Sequence, residues 1–122
     1  MPIYKIKTFA RFARDERIDD KSLVDAIKRA ADGLVDADLT GGLIKQRVAR
    51  QGQGRRGGYR VLIAFQSRDF SVFLYGFAKS DRENLDPKEL RTVQQLAAYW
   101  LTASPPVIQQ ALTDGKLVEV RQ

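Results

Sequence analysis

Ile3-Tyr4-Lys5-Ile6-Lys7 predicts a first strand with Tyr4 and Ile6 on one face. Phe9 to about Arg17 predicts a short helix with Phe9 and Phe12 on its apolar side. After it, Leu23, Ala26, Ile27, Ala30 and Leu34 recur at helical spacing, while Asp25, Lys28, Arg29 and Asp32 fall largely off that stripe. Asp19 or Asp20 is the expected N-cap of this second helix. It should end at Ala31 or Asp32, where Gly33 supplies the C-terminal stop.

A polar link, Val35 to Gly42, leads to a change of period. Leu43–Arg50 reads as one strand and Tyr59–Gln66 as the next, where Tyr59, Val61, Ile63 and Phe65 alternate with Arg60, Leu62 and Ala64. Gly52, Gly54, Gly57 and Gly58 are expected to form a flexible connection between them. Ser67-Arg68-Asp69 reads as a tight turn into the apolar strand Phe70–Ala78, completing an antiparallel meander. Asp86 caps a long helix, with Pro87 in its first turn and Glu89 completing a capping box. Leu90, Val93, Leu96, Ala97, Trp100 and Leu101 form its buried stripe. Ser104-Pro105 opens a shorter helix to about Thr113, and Leu117-Val118-Glu119-Val120 resembles a last strand. The fold class is therefore α+β: a small antiparallel sheet packed against two N-terminal helices, with further helices C-terminal. One domain, 1–122, accommodates these elements.

Charge changes the picture most in the middle of the chain. Between Gly41 and Arg68 stand Lys45, Arg47, Arg50, Arg55, Arg56, Arg60 and Arg68, with no acidic residue among them. The chain's formal charge is +6, and outside this stretch basic and acidic residues nearly balance. A hairpin loaded with cations is suited to phosphates. Side chains two apart on a strand share a face, so Lys45 and Arg47 point together. If the apolar faces of the two strands align, Arg60 joins them, while Arg50, Arg55 and Arg56 lie near the tip. Such a patch is expected to meet about five to seven phosphates, with a correspondingly steep salt dependence. A solvated surface, or a site for an acidic protein, is the competing reading of the same charges. A second polar cluster, Lys79 to Asn84, follows the apolar strand, and Lys79 and Arg82 can reach the same side. Tyr75 is assignable equally to core or cleft, whereas Phe73 and Phe77 read as core.

The chain contains no histidine and no cysteine. Histidine general bases, Ser-His-Asp triads and Cys/His metal sites are excluded. The acidic pairs Asp15-Glu16 and Asp19-Asp20 read as caps and solvated surface, so no metal site and no cofactor are expected. No apolar run approaches the ~20 residues that span a bilayer. Met1-Pro2-Ile3-Tyr4-Lys5 opens without a secretory leader's apolar region. The expectation is a cytoplasmic protein without membrane contact.

The run Gly41-Gly42-Leu43-Ile44-Lys45-Gln46-Arg47-Val48-Ala49-Arg50, followed by Gly58-Tyr59-Arg60-Val61, resembles the RelE/ParE toxin superfamily in its HigB-type branch. So does Tyr75-Gly76-Phe77-Ala78-Lys79-Ser80-Asp81-Arg82-Glu83-Asn84-Leu85, and the likeness covers about residues 1–103. It implies a toxin of a bacterial type II toxin–antitoxin system that acts as a ribosome-dependent, metal-independent mRNA endonuclease. Its implied partners are a cognate antitoxin, expected to be a helix-turn-helix protein, and the ribosome with its mRNA. The free toxin is expected to be monomeric. In such toxins the RNA 2′-OH attacks, and lysines and arginines orient the RNA and stabilise the pentavalent phosphate.

Carried onto this chain, the catalytic set is Lys45, Arg47, Arg60, Lys79 and Arg82. Arg60 and Arg82 would stabilise transition-state charge, and Lys45 or Lys79 would transfer a proton. Arg50, Arg55, Arg56 and Tyr75 would contact RNA or ribosome. The tyrosine that some relatives carry after the last meander strand has no counterpart at Asn84-Leu85-Asp86, so Tyr75 or Tyr59 would take its place, or none acts. Residues from about 104 to 122 read as a C-terminal extension. The alternatives are a ParE-like toxin that poisons DNA gyrase without a nuclease site, and a non-enzymatic nucleic-acid or protein-binding module.

Overall fold

A computed structural model describes residues 1–50, 54–66 and 69–122, with side chains in the middle segment from Gly57 onward. The chain begins with β1 (Ile3–Ile6), which runs directly into α1 (Lys7–Asp15) and then α2 (Asp20–Ala31). Asp19 caps α2 by accepting from the Ser22 amide at 2.9 Å, and Gly33 ends the turn beyond it at φ +85°. Leu34, expected on the apolar stripe, lies past that stop and is 62% exposed. The polar link contains a two-residue strand, β2 (Ala37–Asp38), that the alternation did not reveal. The meander follows as β3 (Leu43–Arg50), β4 (Gly54–Phe65) and β5 (Ser71–Ala78). α3 (Pro87–Leu101), α4 (Pro105–Thr113) and β6 (Leu117–Glu119) complete the order.

The strands form one sheet in the order β2-β3-β4-β5-β1-β6. All neighbours are antiparallel except β1 and β5, which pair in parallel with Ile3 opposite Ser71. The C-terminal segment is woven into this sheet. β6 pairs with β1, the Val120 amide donates to the Ile3 carbonyl at 2.8 Å, and Ile108 and Ala111 of α4 are buried.

Each sheet face has its own helical layer. Ile44, Val48, Tyr59, Val61, Ile63 and Phe73 pack with Phe9, Ala13, Leu23 and Ile27 of α1 and α2. Leu43, Leu62, Ala64, Val72 and Leu74 pack with Val93, Ala97 and Trp100 of α3 and Ile108 of α4. Consecutive residues Val61 to Ala64 are consequently all buried, as a strand covered on both faces requires.

Three glycines expected in a loose connection belong to the sheet. β4 already pairs with β3 at Gly54, five residues before the predicted start, and Gly57 and Gly58 lie within it. A Cβ on Gly58 would sit 2.1 Å from the Val48 carbonyl oxygen, where the β3–β4 register shifts. Gln46, fully buried, anchors β3 to the first helical layer. Its amide donates to the Ala26 and Leu34 carbonyls at 3.0 and 3.2 Å and accepts from the Asp36 amide at 2.8 Å.

Candidate functional site

α3 covers only part of its sheet face. Beyond its first turn the same face carries Lys45 and Arg47 on β3, Arg60 on β4, and Tyr75 and Phe77 on β5. Arg47 and Arg60 are direct cross-strand partners, as the alignment of apolar faces predicts. Like charges in that relation oppose folding. Arg47 is exposed, and its backbone is fixed from behind. Its amide donates to Asp36 Oδ2 at 2.6 Å, and its carbonyl accepts from the Arg29 guanidinium.

Arg60 is only 9% exposed. Its single hydrogen bond among the described residues runs from Nη1 to the Tyr59 carbonyl at 3.4 Å, and no carboxylate pairs with it there. Burial holds its pKa below the ordinary guanidinium value, and Arg47 adds to that, while Asp36 and Glu83 act in the opposite direction. A guanidinium remains charged through such a shift. This side chain is a desolvated cation without an ion-pair partner among the described residues.

Arg82 is placed differently. Nη1 donates to Glu89 Oε1 at 2.6 Å, and Nη2 donates to Glu89 Oε2 at 2.9 Å and to the Tyr75 hydroxyl at 2.6 Å. Its Cζ lies 5.3 Å from the Phe77 ring centre and 5.7 Å from that of Tyr75. Phe77 is also the cross-strand neighbour of Arg60, so this ring links the two arginines. The hydrogen bond from Arg82 is the main cause that holds the Glu89 carboxyl down to about 2, and it raises the Arg82 pKa in return. A guanidinium has five N–H donors, and three are used here. Nε–H and one Nη1–H remain.

Lys45 Nζ donates to Asn84 Oδ1 at 2.9 Å. Beside it opens a pocket of about 220 Å³ walled by Leu39, Leu62, Phe77, Leu85 and Leu90. Lys79 lies just past β5, where its amide extends the ladder to the Gly58 carbonyl at 3.0 Å. Its side chain is exposed and makes no hydrogen bond among the described residues.

Four of the five residues expected to be catalytic, Lys45, Arg47, Arg60 and Arg82, therefore flank one open area, with Tyr75 half-buried inside it and Lys79 at the adjoining end of β5. Arg50 does not join them. Two residues past Val48, it points to the other face, where its Cζ stacks 5.8 Å from the Tyr59 ring near Asp15, Glu16 and Arg17. Tyr59 is buried on that same face and donates to the Glu16 carbonyl at 3.3 Å, with its pKa raised chiefly by burial. Tyr75 is thus the tyrosine at the open area. Arg55, Arg56 and Arg68 lie outside the residues whose side chains are described.

Sequence reasoning missed Glu89 as a member of this cluster, and it placed Asn84 in the Lys79–Asn84 run without a role. Glu89 is recognisable as a cap residue, but nothing in the chain signals that it also clamps Arg82. Phe77 was read as core, and it is buried, yet one face of its ring carries a cation. Among the described residues no group of three or more Asp or Glu side chains converges as a metal ion would need.

The arrangement can grip an anion between paired cations and stabilise negative charge that develops on it. No curated protein matches the chain. The sequence does match the family described as RelE toxin of RelE / RelB toxin-antitoxin system over residues 1–120, which includes the C-terminal segment. The chain belongs to this RelE toxin family.

Proposed function

We propose that this toxin acts in the cytoplasm as a ribosome-dependent, metal-independent mRNA endonuclease. The observation that carries the reading is Arg60, a buried cation without a carboxylate partner among the described residues, directly opposite Arg47. Folding alone disfavours that pair, and a bound phosphate would relieve it.

In this reading the RNA 2′-oxygen attacks the adjacent phosphorus. The O2′–P bond forms, the P–O5′ bond breaks, and the products are a 2′,3′-cyclic phosphate and a 5′-hydroxyl. Arg47 and Arg60 hold the phosphate, and the unused donors of Arg82 meet the charge that builds on its equatorial oxygens. Lys45 or Lys79 moves the proton. The attacking oxygen belongs to the substrate, which agrees with a chain that has neither histidine nor cysteine. The free toxin is taken as a monomer held inactive by its antitoxin.

The test is induction of the toxin without an antitoxin, followed by mapping of new RNA 5′ ends. Codon-phased cuts within translated messages are expected. DNA breaks with intact messages would point instead to gyrase, and normal growth with neither would overturn both readings. If Lys45→Ala and Lys79→Ala each left cleavage unchanged, the proton-transfer assignment would be wrong.

A further inference from the structure

The apolar pocket beside Lys45 has no part in gripping a phosphate. It lies one step down the sheet face from the cation pair. Leu62 is two residues beyond Arg60, and Lys45 is two residues before Arg47, a displacement of about 6–7 Å along the strands. Its volume of about 220 Å³ falls below the ~300 Å³ at which pockets for whole small molecules begin. Its walls are the flat Phe77 ring and the aliphatic Leu39, Leu85 and Leu90. A planar heterocycle attached to a phosphate fits that size, that lining and that position.

The rim determines which heterocycle. Lysine has only donors, so the Asn84 amide turns its oxygen to Lys45 Nζ and its NH₂ group away. That NH₂ makes no hydrogen bond among the described residues, and two N–H groups of Lys45 are also left over. The rim therefore presents donors, and among the bases guanine offers two adjacent acceptors, O6 and N7. Adenine places an amino donor at the equivalent position. We infer that this pocket receives a nucleobase flanking the scissile phosphate, with Asn84 and Lys45 selecting guanine. The inference rests on the proposed cleavage of RNA, and it leaves Lys79 as the proton-transfer group.

The experiment compares cut sites mapped for the wild type and for Asn84→Asp. Aspartate would keep one oxygen on Lys45 and turn the other, an acceptor, to the base. The wild type should favour guanine over adenine at one flanking position, and the ratio should fall about fivefold or more in the variant. The ratio is independent of overall rate. Equal ratios in the two proteins, or no flanking-base preference in the wild type, would overturn the inference while leaving nuclease activity standing. In parallel, the full-length protein is titrated with guanosine 3′-monophosphate and adenosine 3′-monophosphate while the Asn84 side-chain amide is followed by NMR. A shift specific to the guanosine nucleotide supports the pocket even if no message is cut. Identical responses to both nucleotides, or none, would sink it.

Discussion

Replacing Arg60 with methionine should make the protein more stable and inactive at once. The methylene stem of Arg60 lies in a site only 9% exposed, and methionine retains most of that apolar contact with Phe77 and its surroundings. The guanidinium contributes little to folding. Its one hydrogen bond, at 3.4 Å, is worth about 0.5 kcal/mol at most. Against this, removing a like charge directly across the strand pair recovers about 0.2–1 kcal/mol. Relief of an incompletely satisfied buried polar group recovers about 1 kcal/mol more. The net is a gain of about 1 kcal/mol, or a rise in Tm of about 3–6 °C for a domain of this size. Loss of a donor to the developing phosphate charge should cost about 10²–10³-fold in cleavage rate. Thermal unfolding and a ribosome-bound mRNA cleavage assay read the two effects. Arg47→Met is the control, since Arg47 is exposed and its removal should shift stability by no more than about 0.5–1 kcal/mol. The reasoning is refuted if Arg60→Met lowers Tm by several degrees, which would make the guanidinium a structural member of the core.

Three further outcomes follow from the same geometry. Four cations, Lys45, Arg47 and Arg60 on this face and Lys79 at the end of β5, have no carboxylate partner among the described residues, so affinity for short unstructured RNA should fall with a log–log salt slope of about −2.8. That is about 50-fold between 50 and 200 mM salt by fluorescence anisotropy, and a slope shallower than about −1 would contradict convergence on one strand. The Glu89 carboxyl should titrate near about 2 by NMR in the wild type and return toward the ordinary range in Arg82→Met. Because its folded pKa is depressed, the Arg82–Glu89 contribution is complete above about pH 4.5 and is lost as pH falls toward 2, with no change expected between pH 6 and 8. Gly58→Ala should destabilise by about 1–3 kcal/mol in urea unfolding, since its Cβ meets backbone that cannot rotate away. An unchanged midpoint would show that the register shift beside Val48 is not held by that glycine.

The parts of this molecule that depend on local pattern were readable before any coordinates. The α3 capping box is spelled by Asp86 and Glu89 within one turn, and the structure forms both of its hydrogen bonds. Alternation along β3 and β4 put Lys45, Arg47 and Arg60 on one face because pleating is periodic whatever the tertiary setting. Arg50 shares the parity of Val48, so the same periodicity sends it to the opposite face, where it lies over Tyr59. Alternation failed for the two-residue β2, too short to show any period, and for the glycines of β4, whose composition signals a loop although close approach of β3 demands Gly58. The parallel pairing of β1 with β5 joins residues about 70 positions apart, a relation absent from local pattern. Arg82 was identifiable from the family resemblance, but its clamp on Glu89 exists only once the loop folds back over Phe77.

Glu89 joins two features that a sequence presents separately. Its Oε1 accepts from the Asp86 amide at 3.1 Å, completing the start of α3, and from Arg82 at 2.6 Å, fixing a cation of the candidate site. Where α3 starts decides how much of its sheet face is covered. Downstream of the cap, Val93, Ala97 and Trp100 close over Leu62 and Ala64, and β4 is apolar on both sides. Upstream of it no helix among the described residues covers this face, and the same strand face changes from leucine and alanine to arginine. A charge repulsion between Arg47 and Arg60 is tolerable at that boundary because solvent, not helix, covers Arg47. Two register steps inward on the same face, the positions of Leu43 and Ala64 are fully buried beneath α3, where a cation pair would lose its solvent. The helix start thus leaves a stretch of this face where paired cations remain charged and accessible, and the residue that defines the start also holds Arg82 at its edge.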